Sequence, residues 1–302
     1  MMKKSILLLT LLFTTMSTGY QTVKDEVVFY SMAEALKKPE TVKELNLRGQ
    51  KISEVPAGIS FLKNLEYLNM MKNDIVNLNE EIYYLKNLQT LNVRQNKLDS
   101  LSSLIGQLEN LVTLDLAKNK LKTLPEMITK LTKLNVLLLS ENKLEKLPNG
   151  MKEMKELEFI DLDNNMLTEF TANLCNSKKI KNISMRYNKI QSLPADLKSM
   201  TSLEVLNLAN NQLNTIPAEI GEITKLKSLI LNHNNLTSIP EELTNLTELE
   251  MLVLSGNQIT KLPAHMNQLK NLKTLLLVDC PISEEQKSKL KQQIPNCDIR
   301  FE

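Results

Sequence analysis

A period of 23 residues runs through most of the chain and limits what it can fold into. Val, Leu or Ile stands at the first position of each period, beginning with Val42 and ending with Leu272, without an insertion in eleven copies. The fourth and eleventh positions are always Leu or Ile, and the sixth is Leu, Met or Val. A fixed period of this kind indicates stacked units, none of which can bury its apolar side alone. The sequence therefore predicts an elongated solenoid over residues 42–282.

Each copy contains a short strand followed by a polar position. Positions four and six alternate with polar residues, as on the inward side of a strand. Position nine is Asn in nine copies, and Gln50 and Cys280 replace it in the first and last copies. Asn offers donors and an acceptor to backbone groups left open where a strand turns. We expect these side chains to form a ladder along the stack, with Cys280 at its buried end.

The pattern LxxLxLxxNxL, as in LVTLDLAKNKL over residues 111–121, resembles the leucine-rich repeat. The resemblance covers residues 42 to about 282, and the second half of each copy is similar to the subclass whose convex side holds a short helix or 3₁₀ turn. It implies an α/β solenoid, a leucine-rich-repeat horseshoe with short parallel strands on its concave face.

Proline occupies position fifteen in seven copies, where the start of a helical turn tolerates its missing N–H. Asn79, Ser102 and Thr171 replace it in three copies, and we expect looser convex segments there. The copy with Thr171 also carries Ser177 where the others have Leu, Met or Ile. Residues 171–179 are therefore predicted to be the most irregular stretch.

Both ends of the repeat array are predicted to be capped, as a solenoid requires. In residues 20–41, Ser31 and Glu34 have capping-box spacing, which predicts a short helix. In residues 283–302, Ser283 and Gln286 repeat that spacing, and the alternating segment CDIRF predicts a closing strand. This ending is similar to that of secreted bacterial leucine-rich-repeat proteins, including sets from spirochaetes and Bacteroidetes.

Residues 1–19 have the composition of a secretory signal peptide. Two lysines precede an apolar core over residues 6–13, and small residues follow it. This core is too short to span a bilayer, which needs about 20 apolar residues. A buried N-terminal strand or helix is the alternative. We expect an exported protein without a membrane span.

Composition and motifs exclude several functions. Without residues 1–19 the chain has 35 basic and 35 acidic residues, so no positive bias attracts nucleic acid or an anionic membrane. His233 and His265 lie 32 residues apart and cannot share a metal. Asp161, Asp163 and Asn164 cluster in DLDNN, with Asp115 two strands earlier. They form either a carboxylate cluster for calcium or, as we favour, a polar strand edge. We expect no catalysis, no cofactor and no metal.

The remaining candidates lie on the concave face. Position two alternates between Glu and Lys from Glu158 to Lys273, which predicts lateral pairs that hold register. Position five is polar in early copies and apolar in late ones. The predicted binding groups are a C-terminal apolar patch (Ile230, Met251, Val253, Leu276, Val278), a smaller cluster (Val136, Leu138, Phe159), two exposed aromatics (Tyr67, Tyr187) and a basic row (Arg48, Lys72, Arg94, Lys118).

Each group has a structural alternative. The apolar residues of the patch also suit an open sheet, or the C-terminal cap covers them. The basic row is either a solvated edge or a contact for an acidic partner or a glycan phosphate. Cys280 and Cys297 are either free or bridged, since export permits a disulfide.

The sequence favours an exported, non-enzymatic module that binds a protein ligand on its concave face. The ligand is then a host surface protein or an envelope protein. A carbohydrate or cell-envelope binding protein is the second interpretation. An intracellular signalling scaffold is the third, if residues 1–19 are not a signal peptide.

Overall fold

The computed structural model describes residues 27–302, so the predicted signal peptide over residues 1–19 lies outside the described residues. One parallel sheet contains thirteen strands, and each strand pairs with its neighbours in sequence. The sheet forms the concave face of the solenoid. The strands are β1 (Val28–Phe29), β2 (Glu44–Asn46), β3 (Tyr67–Asn69), β4 (Thr90–Asn92), β5 (Thr113–Asp115), β6 (Val136–Leu138), β7 (Phe159–Asp161), β8 (Asn182–Ser184), β9 (Val205–Asn207), β10 (Ser228–Ile230), β11 (Met251–Val253), β12 (Thr274–Leu276) and β13 (Asp298–Arg300).

The convex side consists mainly of short 3₁₀ turns, and residues 27–302 also contain three α-helices. The helices are α1 (Met32–Ala35), α2 (Ala172–Cys175) and α3 (Glu284–Gln293). None of the helices within residues 27–302 is long and apolar enough to cross a bilayer. The 3₁₀ turns are Pro39–Thr41, Ile59–Phe61, Glu80–Tyr84, Ser103–Gln107, Glu126–Lys130, Asn149–Glu153, Ala195–Ser199, Ala218–Glu222, Glu241–Asn245 and Met266–Gln268.

Strand register follows the 23-residue period. Leu45 pairs with Leu68, and Leu68 with Leu91, so equivalent positions of successive copies lie side by side. The side chains at positions four and six are buried in all eleven copies. They stack into one continuous core that runs the length of the molecule. The predicted solenoid and its inward positions are confirmed.

The turn after each strand has a left-handed backbone conformation that the sequence did not predict. Position eight lies in the left-handed region in all eleven copies, although only Gly49 and Gly256 are glycines there. A non-glycine residue usually avoids this region, because its Cβ crowds the backbone. The other nine residues are Lys72, Gln95, Lys118, Glu141, Asn164, Tyr187, Asn210, His233 and Asp279, with φ between 53 and 61°.

The asparagine ladder at position nine holds this turn. The Nδ2 of Asn142 donates to the carbonyls of Leu139 and, in the preceding copy, Leu116, each at 3.0 Å. Its Oδ1 accepts from the amide of Leu121 at 3.0 Å. The predicted ladder is therefore confirmed, because each Asn ties two copies together. At its end the Cys280 thiol donates to the Leu254 carbonyl at 3.3 Å, and Cys280 is only half-buried.

Proline replacement has less effect on the convex side than expected. Asn79 and Ser102 each precede a 3₁₀ turn of five residues, the same length as after Pro125. The Nδ2 of Asn79 donates to the Val55 carbonyl at 3.1 Å, and the Ser102 Oγ accepts from the Leu104 amide at 3.2 Å. These polar side chains form hydrogen bonds with backbone groups, which a proline side chain cannot do. The expectation of looser segments is wrong for these two copies.

The third replacement does change the element. Thr171 precedes α2, the one α-helical turn on the convex side of the repeats within the described residues. Ser177 is buried, and its hydroxyl donates to the Met151 carbonyl at 3.2 Å. A hydroxyl at an apolar position thus finds a partner in the preceding copy.

Each end of the array gains a strand as well as a helix. Ser31 caps α1 by accepting from the Glu34 amide at 3.3 Å, and Ser283 caps α3 by accepting from the Gln286 amide at 3.3 Å. β13 is the predicted closing strand. β1 was not predicted, because two residues are too few to show a period. It extends the sheet to the first described residues.

Candidate ligand-binding face

Position five has a structural role at the N-terminal end of the concave face. The Oδ1 atoms of Asn69, Asn92 and Asp115 accept hydrogen bonds at 2.9–3.0 Å from the amides two residues later. These side chains cap the strand ends and are buried. Their polarity therefore serves the turn, a reason that the sequence interpretation missed.

A basic row lies beside these strand ends. Arg48 and Lys72 are exposed, and Arg94 and Lys118 are half-buried. Lys118 pairs with Glu141 at 2.9 Å. Within residues 27–302 no ion pair includes Arg48, Lys72 or Arg94. Three of the four predicted cations are therefore available to pair with an anionic ligand.

The centre of the face contains an ion pair between a buried carboxylate and a half-buried arginine. Asp163 accepts from the Nε of Arg186 at 2.7 Å, from its backbone amide at 2.7 Å and from the Ser184 hydroxyl. A second guanidinium nitrogen lies 2.6 Å from the same carboxylate. Only 6% of the Asp163 side chain is exposed, against 42% of the Arg186 side chain. These bonds fix Arg186 while part of its guanidinium faces solvent.

Burial disfavours the charged form of two other carboxyls on this face, those of Asp115 and Asp161. Burial raises the pKa of Asp115 to about 6, although the Ala117 amide and Arg94 oppose the shift. Burial and then the nearby Asp163 charge raise the pKa of Asp161 to about 6. Asp163 is committed to Arg186, and the described residues contain no group of three or more His, Cys, Asp or Glu side chains that could hold a metal.

The smaller apolar cluster is not exposed. Phe159 and Leu138 are 5% and 9% exposed, and only Val136 is half-buried. Side chains on adjacent strands lie about 5 Å apart, so they cover one another on the face of the sheet. The prediction of an exposed cluster is wrong for Leu138 and Phe159.

The C-terminal patch forms a second apolar cluster, separate from the main core. Its buried members are Ile230, Val253 and Ala209, the last of which was not predicted, and half-buried Met251 and Leu276 pack against them. Ile230 and Val253 are only 4% and 7% exposed, so the prediction of an exposed patch is wrong for these two residues. Val278 is half-buried outside this cluster. From here on, the C-terminal patch means Ala209, Ile230, Met251, Val253 and Leu276.

The C-terminal cap does not cover this patch. Leu290 of α3 and Ile294 belong to the main core, and the Gln293 side chain donates to the Ala264 carbonyl on the convex side. β13 continues the sheet, with Arg300 level with Leu276. Of the two structural alternatives for the patch, coverage by the cap helix is excluded. The open part of the patch is the half-buried pair, Met251 and Leu276.

Charged side chains at position two pair laterally as predicted. Lys181 lies 2.7 Å from Glu158, Lys227 lies 2.8 Å from Glu204, and Lys273 lies 2.7 Å from Glu250. Exposed pairs of this kind contribute little stability. Their effect here is to cancel charge along one side of the patch.

The two aromatic candidates differ in exposure. Tyr187 is 52% exposed and occupies a left-handed position eight. Tyr67 is half-buried, and burial followed by the Glu44 charge raises the pKa of its hydroxyl. Tyr187 alone fits the description of an exposed aromatic.

The cysteines are free thiols. Burial raises the pKa of Cys175 to about 12 and that of Cys297 to about 11, and it also raises the pKa of Cys280. A thiol is nucleophilic only as the thiolate, so none of the three is activated.

The register also argues against the Cys280–Cys297 bridge. Asp298 pairs with Thr274, so Cys297 is level with the start of β12. Cys280 follows the strand end, where its amide donates to the Leu277 carbonyl. Four strand residues, about 13 Å, separate these levels, whereas a disulfide needs Cα atoms about 4.4–6.8 Å apart.

Eleven 23-residue units on one parallel sheet define a leucine-rich-repeat solenoid. Family models described as "Leucine-rich repeat region" match residues 91–186 and 167–294, and one described as "Leucine rich repeat" matches residues 40–98. The chain belongs to the leucine-rich repeat family. Such repeats generally serve as protein–protein interaction modules and are typically not enzymes. No curated protein sequence matches the chain significantly.

Solved structures with the same fold come from bacteria and plants. A leucine-rich-repeat protein of Leptospira interrogans is 26% identical with a TM-score of 0.58, covering 92% of this chain and 100% of its own. An internalin from Listeria monocytogenes is 24% identical with a TM-score of 0.70, covering 87% and 81%. The plant peptide hormone receptor RGFR1, in complex with RGF2, is 22% identical with a TM-score of 0.64, covering 93% and 55%. The bacterial neighbours agree with the predicted bacterial resemblance.

Proposed function

We propose that this protein is exported, is not an enzyme and binds a protein ligand on its concave face. The C-terminal patch is the observation that carries this proposal, because its half-buried members Met251 and Leu276 expose part of an apolar cluster that is separate from the main core. Contiguous apolar surface that stays open to solvent usually marks an interaction site. A rigid stack also holds the face in its binding shape, so little ordering cost opposes association.

Export rests on the composition of residues 1–19. N-terminal sequencing of the protein isolated from its natural source tests this part. A first residue near position 20 supports export. A sequence that begins at Met1 contradicts export and favours the intracellular scaffold.

Capture from surface or host extract tests concave-face binding. The bait carries Met251→Glu with Leu276→Glu, which places charge on the half-buried members of the patch. The matched control carries Met127→Glu with Leu36→Glu, two side chains that are 43% and 39% exposed outside the concave face. We expect the first bait to lose its protein ligand and the control to keep it.

A fold check accompanies both baits. Thermal melting must stay within a few degrees of the wild type, and Met251→Gln provides a milder change if the double variant melts earlier. Equal capture by wild type, Met251→Gln and the double variant contradicts binding at the patch. Binding to a glycan array that persists in the patch variants, without a captured protein, favours the carbohydrate interpretation.

A further inference from the structure

The two ends of the concave face differ in the chemistry that they present. At positions seven and eight the N-terminal copies carry Arg48, Lys72 and Arg94. The copies that contain β9, β10 and β11 carry only uncharged residues at these positions: Ala209, Asn210, Asn232, His233, Ser255 and Gly256. Positive charge therefore lies along one end of the face and is missing from the strand ends at the other.

The positive end keeps most of its charge. Arg48 and Lys72 are exposed, and no ion pair within the described chain includes either of them. Arg94 is half-buried, and part of its charge acts on the Asp115 carboxyl. An anionic group would find two exposed cations here, one on each of two adjacent copies.

The apolar end differs, because its cations are paired. The position-two pairs Glu204–Lys227 and Glu250–Lys273 cancel along one side of the C-terminal patch. On the other side the strand ends after β9, β10 and β11 are uncharged, and the exposed Asp279 follows β12. Arg300, level with Leu276, pairs with Asp298 at 2.7 Å. Met251 and Leu276 are thus open to a group that buries apolar surface without stranding a charge.

The two ends lie on one continuous parallel sheet whose strands follow the order of the sequence. One ligand segment can therefore cross the strands from the basic end to the C-terminal patch. Eight strand steps separate β3, which precedes Lys72, from β11, which contains Met251. They span about 38 Å, which an extended chain covers in about eleven residues.

From this arrangement we infer that the ligand contributes an extended segment with carboxylates at one end and apolar side chains about eleven residues away at the other. The carboxylates contact Arg48 and Lys72, and the apolar side chains contact Met251 and Leu276. This inference rests on the proposed function, because it describes the ligand of the same face.

A displayed library of random 16-residue peptides is the probe that tests it. We expect selection on the purified wild-type chain to enrich peptides with acidic residues in one half and apolar residues in the other. An enriched peptide is then made synthetically and titrated. Arg48→Glu with Lys72→Glu should weaken its binding at least tenfold and reduce its dependence on salt. Met251→Glu with Leu276→Glu should weaken it at least tenfold without changing that dependence.

Matched controls separate the face from general charge effects. Lys130→Glu with Lys152→Glu makes the same charge change on exposed convex side chains and should leave binding unchanged. Met127→Glu with Leu36→Glu is the apolar control. Met251→Gln replaces the double patch variant if that variant melts early, and it should weaken binding in the same direction.

The outcomes distinguish this inference from the proposed function. Enriched peptides without the two-part pattern, or a peptide insensitive to Arg48→Glu with Lys72→Glu, overturn the inference even if extract capture still depends on the patch. Loss of patch dependence in both experiments overturns the proposed function as well. Capture of the chain by its own copies, abolished by the patch variants, would replace the extended segment with a self-association site.

Discussion

The same residue type recurs at equivalent positions of successive copies, and a copy that departs from the pattern shows the energetic effect of the change. Asp115 occupies the fifth position, where the three preceding copies have Asn46, Asn69 and Asn92. Like Asn69 and Asn92, it accepts one hydrogen bond from a backbone amide. An amide can do this without charge, whereas a carboxylate at this site is buried as an anion. The pKa of Asp115 rises to about 6 for this reason.

We predict that Asp115→Asn stabilises the protein at neutral pH. The folded-state pKa of Asp115 is above that of the unfolded chain, so the folded state binds more protons between pH 4 and 6, and stability falls as the pH rises through this window. At pH 7.5 the substitution should raise the free energy of unfolding by about 2–3 kcal/mol. At pH 4 the two proteins should have nearly equal stability.

Denaturant unfolding at both pH values measures the effect. Asp99→Asn, at an exposed position, is the control and should behave as the wild type does. A loss of stability at pH 7.5 would show that the Asp115 carboxylate has a partner that compensates for its burial. Asp115→Asn should keep a smaller pH dependence of the same sign, because the pKa of Asp161 is also raised.

Residue patterns predicted the ladder but not the turn that it supports. Asn at position nine was identifiable, because its amide supplies both donor and acceptor. Residues of eight types occupy position eight: Gly, Lys, Gln, Glu, Asn, Tyr, His and Asp. Only the structure shows that all of them have a left-handed backbone conformation. No side-chain property unites that set, since the ladder and the strand pairing impose the conformation on whatever residue stands there.

At the scale of elements, adjacent convex turns approach closely enough to require particular glycines. A Cβ added at Gly221 would lie 2.2 Å from the backbone oxygen of Glu242 in the next turn. One added at Gly150 would lie 2.8 Å from the Thr129 hydroxyl, which is a side-chain atom. Neither glycine has a positive φ, so the contact and not backbone freedom decides the effect of substitution.

We predict that Gly221→Ala lowers the free energy of unfolding by about 2–3 kcal/mol, because two backbone segments must separate. Gly150→Ala should cost less, because the added Cβ meets side-chain atoms of Thr129 and not backbone, and because alanine is favoured over glycine in helical turns by about 0.5–1 kcal/mol. Thermal and denaturant unfolding of both variants gives the comparison. The close approach of the turns is refuted if Gly221→Ala is as stable as the wild type.

The elements of the repeats were easier to predict than their surfaces. Period and proline placement indicated strand followed by short turn, and both are present in every copy that follows this rule. Exposure failed as a prediction at Phe159, at Leu138 and at the buried members of the C-terminal patch, because it depends on neighbours 23 residues away in each direction. An apolar residue on the outward side of a strand looks exposed in sequence, but lateral packing across the sheet covers it.

At the scale of the whole molecule, the protein is a row of units that contact mainly their neighbours. Thirteen strands follow the order of the sequence, and one core runs beneath them. In such a stack, stability is the sum of each unit and its interfaces, so the ends are the weakest parts. The last ladder position, at Cys280, lies at one of these ends.

Cys280 makes only part of the bonding that asparagine makes elsewhere. Its thiol donates to the Leu254 carbonyl, and the adjacent Asp279 is left-handed like every other position eight. An asparagine there would reach the Leu254 and Leu277 carbonyls and accept from the Ile259 amide, by analogy with Asn257 and its partners. Here the Leu277 carbonyl also accepts from the Cys280 amide, so an asparagine would share this acceptor.

We predict that Cys280→Asn stabilises the C-terminal copy by about 1 kcal/mol, the usual net value of one buried hydrogen bond. Because a stack opens locally from its ends, hydrogen exchange over residues 272–300 should slow before global melting changes. Asn142→Cys, the reverse change in the middle of the ladder, should cost about 1–3 kcal/mol, since it leaves the Leu121 amide without its acceptor. Faster exchange over residues 272–300 in Cys280→Asn would mean that the cap, and not the ladder, sets the conformation at this end.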